Sequence, residues 1–210
     1  MTMTPRKVYL DNSATTKVDS KVLEAMLPYF SEEYGNPNSL HAWGREARKG
    51  VDHARAQVAQ LIGADPKEII FTGGGSEADN LAIKGAAWAL KDKGKHIITS
   101  AIEHHALLDT VKWLGKNGYE YTILPVDETG LVDPKELEAA IRPDTILASI
   151  MFANNEIGTI QPVAELGEVC RRHGVLFHTD GVQATGHVKI DMKELPIDMM
   201  TMAAHKMYGP

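Results

Sequence analysis

The chain has 210 residues, 43% apolar and 24% charged, with a formal charge of −6. Such a composition fits one sizeable globular domain, with or without an arm, and excludes a disordered, coiled-coil or collagen-like chain. Twenty-two basic residues against 28 acidic ones leave no footprint for nucleic acid or an anionic membrane, and the single cysteine, Cys170, excludes an internal disulfide and a Cys-rich metal site.

The first thirty residues hold no signal-peptide core. The longest nearly apolar run, 146–153, is too short to span a bilayer, so a soluble cytoplasmic protein is expected. Residues 7–10 read as a short strand within an N-terminal arm, residues 1–20. A helix is expected over 21–30, then a loop at Gly35-Asn36-Pro37-Asn38-Ser39. Val51, Ala54, Val58 and Leu61 recur at helical spacing and predict a long helix over 42–62.

Beyond Asp65-Pro66 short apolar runs alternate with helical patterns. Strands are expected at 68–71, 96–99, 119–124, 146–152, 175–178 and 198–202. Helices are expected from Ser76, from about His104, from Pro134 and from Pro162. This alternation predicts an α/β domain over 21–210, a mostly parallel sheet with helices on both faces. On the helix after Pro162, Val163, Leu166 and Cys170 share one face, which makes Cys170 a core residue.

Ligands of such sheets bind beyond the carboxyl ends of the strands. There the sequence places Thr72-Gly73-Gly74-Gly75-Ser76-Glu77, Glu103-His104-His105, Asn154-Asn155-Glu156, Asp180 with Gln183, and His205-Lys206. The glycine run allows a close approach of phosphate to a helix N-terminus, or a plain tight turn. Ser76 and Asp79 also form a Ser-x-x-Asp helix-capping pattern. Neither a Walker loop nor a Gly-x-Gly-x-x-Gly fingerprint is present. His178, Asp180, Glu103, His104 and His105 do not make a convincing metal site, because a strand alternates its faces. A carboxylate behind an apolar strand, Asp180, calls for a cationic or donor partner. Lys206 in the same setting is either a snorkelling edge residue or an amine nucleophile with a lowered pKa.

Tyr9-Leu10-Asp11-Asn12-Ser13-Ala14-Thr15-Thr16, residues 71–80, Asn154-Asn155-Glu156-Ile157-Gly158 and His205-Lys206-Met207-Tyr208-Gly209-Pro210 together resemble the cysteine desulfurases of the NifS/IscS-like branch of the class V aminotransferases. The resemblance runs from about Val8 to the last residue. It implies the large domain of a fold type I pyridoxal-phosphate transferase, incomplete at its C-terminus. The implied activity removes sulfur from L-cysteine to give L-alanine and an enzyme persulfide. Its acceptor would be a scaffold protein of iron–sulfur or thio-cofactor assembly, and the enzyme would be a homodimer.

Carried onto this chain, Lys206 would form the Schiff base with pyridoxal 5'-phosphate and Asp180 would pair with the pyridine nitrogen. Gln183 would bond the ring hydroxyl oxygen, and His104 would stack on the ring and assist proton transfer. Gly75, Ser76 and His205 would hold the phosphate, and Asn155 would lie beside the ring. Ala203 stands where the family commonly has a serine. The family's catalytic cysteine and carboxylate-binding arginine are not among the 210 residues, which are therefore expected to be the N-terminal part of a longer enzyme and inactive alone. A relative acting on selenocysteine or another amino acid, and a non-catalytic scaffold of the same fold, are the alternatives; the retained Lys206, Asp180, Gln183 and His104 argue against the scaffold.

Overall fold

The computed structural model describes residues 6–210. Its centre is a five-stranded sheet in the order β2-β1-β3-β4-β5, comprising β1 (His96–Ser100), β2 (Glu120–Leu124), β3 (Thr145–Ser149), β4 (Leu176–Asp180) and β5 (Met199–Thr201). Every neighbouring pair is parallel. The expected strands over 96–99, 119–124, 146–152, 175–178 and 198–202 are thus present, each within a few residues of its expected ends.

The helices among the described residues are α1 (Ser20–Met26), α2 (Pro28–Ser31), α3 (Ala42–Ile62), α4 (Gly75–Ala89), α5 (His105–Gly115), α6 (Pro134–Ala140) and α7 (Val163–His173). Parallel strands need crossovers; those through α5, α6 and α7 are helical, and the one from β4 to β5 runs through turns. The helices cover both faces of the sheet. On one face Ile83, Ala87, Leu107, Val111 and Leu114 of α4 and α5 pack with Ile97 and Ile146. On the other, Leu137, Leu166, Val169 and Cys170 of α6 and α7 join Ile62 of α3 against Ile98, Ala148 and Phe177. Ile97 and Ile98 point to opposite faces, yet neither exposes any surface, so β1 is apolar throughout rather than alternating. Cys170 lies in the second core with Val163 and Leu166, as its helical spacing predicts.

Three local expectations are corrected. Residues 7–10 are not a strand, and they find no ladder partner among the described residues. The helix expected over 21–30 is two helices, because Pro28 has no N–H to continue α1 and instead occupies the first position of α2. The stretch 68–71 forms no strand. Glu68 closes a short 3-10 turn, Pro66–Glu68, whose Asp65 and Glu68 make a reciprocal capping box. The backbone beyond is extended at Ile69 but unpaired, leaving Ile70 71% exposed. Between this segment and β5 lies a groove of about 1350 Å³ lined by Ile69, Phe71, Leu81, Met200 and Met202.

Two segments far apart in the sequence meet. Thr16 N–H and its hydroxyl both donate to the carbonyl of His205, at 2.9 Å each. Tyr208 N–H donates to the Thr16 hydroxyl at 2.8 Å, and Asp19 N–H to the Tyr208 carbonyl at 3.0 Å. Residues 11–19 therefore lie along the loop that follows β5.

Gly167 places α7 directly on the backbone of residue 196: a Cβ there would overlap the carbonyl oxygen of Pro196, which cannot rotate away. Gly167→Ala is expected to destabilise the fold by about 2 kcal/mol or more through overpacking. The check is the midpoint of urea unfolding; an unchanged midpoint would mean that α7 shifts at no cost.

Candidate active site

The carboxyl ends of β1, β3, β4 and β5 and the N-terminus of α4 converge on one edge. Gly74, at φ 155°, leads into α4 and supplies no side-chain cap. The first N–H groups of a 15-residue helix are thus left to an external acceptor, at the positive end of its dipole. A Cβ on Gly75 would sit 3.2 Å from Val182 and 3.4 Å from Ala203, so the glycine keeps the entry narrow and close to the β4 and β5 loops. Ser76 is exposed on the first turn. Ala203 is buried at this turn, where a serine would bring a hydroxyl.

Asp180 ends β4. It is 5% exposed, and its Oδ1 accepts the Val182 N–H at 2.9 Å. Burial raises its pKa, while that hydrogen bond and the fields of His104 and Lys206 oppose the rise. His104 is the N-cap of α5, its Nδ1 accepting the Ala106 N–H at 3.2 Å. That bond leaves Nε2 as the proton-bearing nitrogen of the neutral ring.

Lys206 lies in a short 3-10 turn, Ala204–Lys206. Its Nζ donates to the carbonyls of Ser13 and of Ala14, the latter at 2.9 Å. Desolvation lowers its pKa, against the pull of Asp11 and Asp180. Gln183 Nε2 also donates to the Ser13 carbonyl, at 3.2 Å, and His205 Nδ1 lies 3.1 Å from the Thr15 hydroxyl. Asn155 is half-buried on the β3–α7 turn. The turn is held by the buried Asn154, whose Oδ1 accepts the N–H groups of Glu156 and Ile157 at 2.8 and 3.0 Å and whose Nδ2 reaches Ile102 O at 2.9 Å.

All eight residues singled out in the sequence, Gly75, Ser76, His104, Asn155, Asp180, Gln183, His205 and Lys206, thus stand on elements that end at this edge. The donor set suits pyridoxal phosphate: an uncapped helix N-terminus for the phosphate, a buried carboxylate for the ring nitrogen, and a primary amine with a lowered pKa for the aldehyde. Among the described residues no group of three His, Cys, Asp or Glu side chains is arranged to hold a metal ion.

Sequence reasoning missed two features. The main-chain carbonyls of Ser13 and Ala14 fix the Lys206 amine, and carbonyls leave no mark in a sequence. Asp79 is not part of a cap: α4 begins one residue before Ser76, and Asp79 is 2% exposed, with Oδ1 3.9 Å from His178 Nε2.

Glu103 is a third buried acid. Its Oε1 accepts from the Ser100 hydroxyl at 2.5 Å and from Met151 N–H at 2.9 Å, tying the end of β1 to the end of β3. Burial pushes its pKa up to about 8 from an ordinary 4.5. The folded state therefore binds this proton more tightly than the unfolded one. Its stabilising contribution is full below pH 4.5 and is lost as pH rises to about 8. Glu103→Gln, which imitates the protonated acid, is expected to flatten that decline and to stabilise the protein at pH 8.5 by on the order of 2 kcal/mol. Urea midpoints measured from pH 4.5 to 8.5 check this; parallel curves for the two proteins would refute it.

Residues 8–210 match the family model of the class-V aminotransferases. The chain is 56% identical to the cysteine desulfurase IscS of Methanosarcina thermophila over 205 residues, 98% of this chain and 51% of that protein. A solved NifS-like protein superposes with a TM-score of 0.95 at 42% identity, over 98% of this chain and 57% of that one. A structure of SspA in complex with cysteine gives 0.94 at 41% identity, over 96% and 58%. The chain spans about half the length of the curated relatives it matches. By its sequence from residue 8 onward and by its fold, the chain belongs to the class-V aminotransferase family.

Proposed function

We propose that these residues form the cofactor-binding domain, with residues 1–20 as its arm, of a pyridoxal-phosphate-dependent cysteine desulfurase. The observation that carries the reading is the placement of Lys206, with its lowered pKa, at the same sheet edge as the buried Asp180 and the uncapped start of α4. Bound pyridoxal phosphate supplies an electron sink that makes the substrate Cα acidic. The chain's own residues do the rest. Gly75, Ser76 and His205 hold the phosphate, and Asp180 keeps the ring nitrogen protonated. Gln183 bonds the ring oxygen, and Asn155 orients the ring. His104 would lie against it and exchange protons through Nε2. The Lys206 amine would move the Cα proton.

L-cysteine as substrate is supported by the names of the relatives and by the cysteine bound to SspA. The sulfur passes to a protein acceptor of iron–sulfur or thio-cofactor assembly. A homodimer is supported by the apolar surface of the first forty or so residues, where Leu10, Phe30, Leu40 and Trp43 are all more than half exposed. No helix of the described residues is long and apolar enough to cross a membrane, which is consistent with a cytoplasmic setting.

Cys170 is not the sulfur carrier. It exposes no surface, and burial pushes its thiol up to about 12. A buried neutral thiol is a poor nucleophile.

Borohydride reduction of the full-length protein with pyridoxal phosphate should label the peptide containing Lys206, and Lys206→Ala should bind the cofactor reversibly and show no turnover. A different labelled lysine would overturn the assignment. Asp180→Asn should reduce kcat by about a hundredfold or more, as for other well-placed electrostatic groups, with a smaller loss of cofactor affinity. Cys170→Ala should leave the rates of alanine and sulfide release within about twofold of the wild type, since its thiol is held un-ionised; a loss of both would return Cys170 to the mechanism.

A further inference from the structure

Asp79 has no role in the site described above, yet it lies directly behind it. It projects from α4 toward β4 and β5, and its Oδ1 finds no hydrogen-bond partner. A carboxylate so placed needs a cation. The nearest basic side chain is His178, and it cannot serve. Both ring nitrogens of His178 are engaged, Nδ1 with the Ser149 hydroxyl at 2.8 Å and Nε2 with that of Thr201 at 3.0 Å. Burial lowers its pKa to about 4, so the ring is neutral.

His178 and Asp180 are two apart on β4 and share a face. Asp79 and Asp180 therefore occupy one buried region, and the charge of Asp180 acts on Asp79. Their surroundings differ. Asp180 has the Val182 N–H and faces His104 and Lys206. Asp79 has the hydroxyl of Thr201, the neutral His178 and, further off, Glu103, itself a buried acid. Every cationic influence on the pair falls on Asp180.

We propose that Asp79 is a positioning residue for Asp180: the two carboxyls hold one proton between them, Asp79 carries it, and Asp180 is thereby left as the anion that faces the cofactor. The assignment of Asp180 to the cofactor rests on the function proposed above; the coupling of the two carboxyls does not. Burial, and then the charge of Asp180, raise Asp79 to about 7. Below that pH the pocket carries a single negative charge, aimed at the ring nitrogen. Above it, a second charge appears behind the first, and the ring nitrogen holds its proton more tightly.

The test follows the carboxyl carbons by NMR in full-length protein labelled with 13C-aspartate and free of cofactor, from pH 4 to 9. In the wild type the Asp180 resonance should move in two steps, the upper one coinciding with the titration of Asp79. In Asp79→Asn, which keeps the shape and the neutral charge of the protonated acid, Asp180 should keep its lower step and lose the upper one. The two-step wild-type curve tests the coupling even if the variant folds poorly. A one-step Asp180 curve in the wild type, or an upper step that survives in the folded variant, overturns the proposal. Pyridoxal phosphate is then added to the wild type. A shift of the Asp180 resonance supports the pairing with the cofactor. Coupled carboxyls that ignore pyridoxal phosphate uphold the shared proton and overturn the cofactor assignment instead.

Discussion

The two covered faces of the parallel sheet decide where chemistry can occur in this domain. β1 and β3 are buried along their whole length, with α4 and α5 on one side and α6 and α7 on the other. A polar group on either face would need a partner inside the core, as His96 finds in the hydroxyls of Thr145 and Thr122 at 2.7 and 2.9 Å. Because the strands are parallel, their carboxyl ends lie together, and α4 adds its unpaired N–H groups there. One anion-binding helix start, one buried carboxylate and one lysine thus reach the same small volume without any long loop to carry them.

Desolvation is the dominant electrostatic force at this edge. It raises Asp79, Glu103 and Asp180 and lowers His178 and Lys206, each time favouring the neutral form. The opposing interactions are specific: the Ser100 hydroxyl and Met151 N–H on Glu103, the Thr201 hydroxyl on Asp79, the Val182 N–H and the fields of His104 and Lys206 on Asp180, and the carboxylates of Asp11 and Asp180 on Lys206. The outcome is a pocket in which burial weighs against charge on each of these groups, and Asp180 is the carboxylate on which cationic fields oppose it. A cation brought to Asp180 meets little competition from neighbouring charges, and an amine with a lowered pKa is a better nucleophile near neutrality.

Much of this was legible in the sequence, because strand ends and helix starts are local features. The helix 42–62 is read to the residue: its apolar spacing is regular, and Gly63 ends it in the left-handed conformation, φ 71°. The site residues follow from asking what comes after each strand. What was not legible depends on contacts between distant segments. Residues 68–71 have strand-like composition, but a strand exists only by pairing, and composition does not reveal whether a partner is present. Asp79 matches a capping pattern that is purely local; its true environment, His178 and Asp180, is a hundred residues away in the chain. The carbonyls that grip Lys206 belong to Ser13 and Ala14, whose side chains take no part.

That last contact has a consequence for the order in which the protein is made. Ser13 and Lys206 are 193 residues apart. At ribosomal speeds of about 5–20 residues per second, the N-terminal segment waits roughly 10–40 s for its partner to be synthesised. During that interval the sheet can form strand by strand, each βα unit packing on the one before, while residues 11–19 remain without the loop that orders them. The lysine emerges long after that segment, and its amine is fixed only when residues 13 and 14 close over it. The surroundings of the lysine amine are thus completed by one loop closure across the whole span of the sheet, a contact that no local folding step can supply.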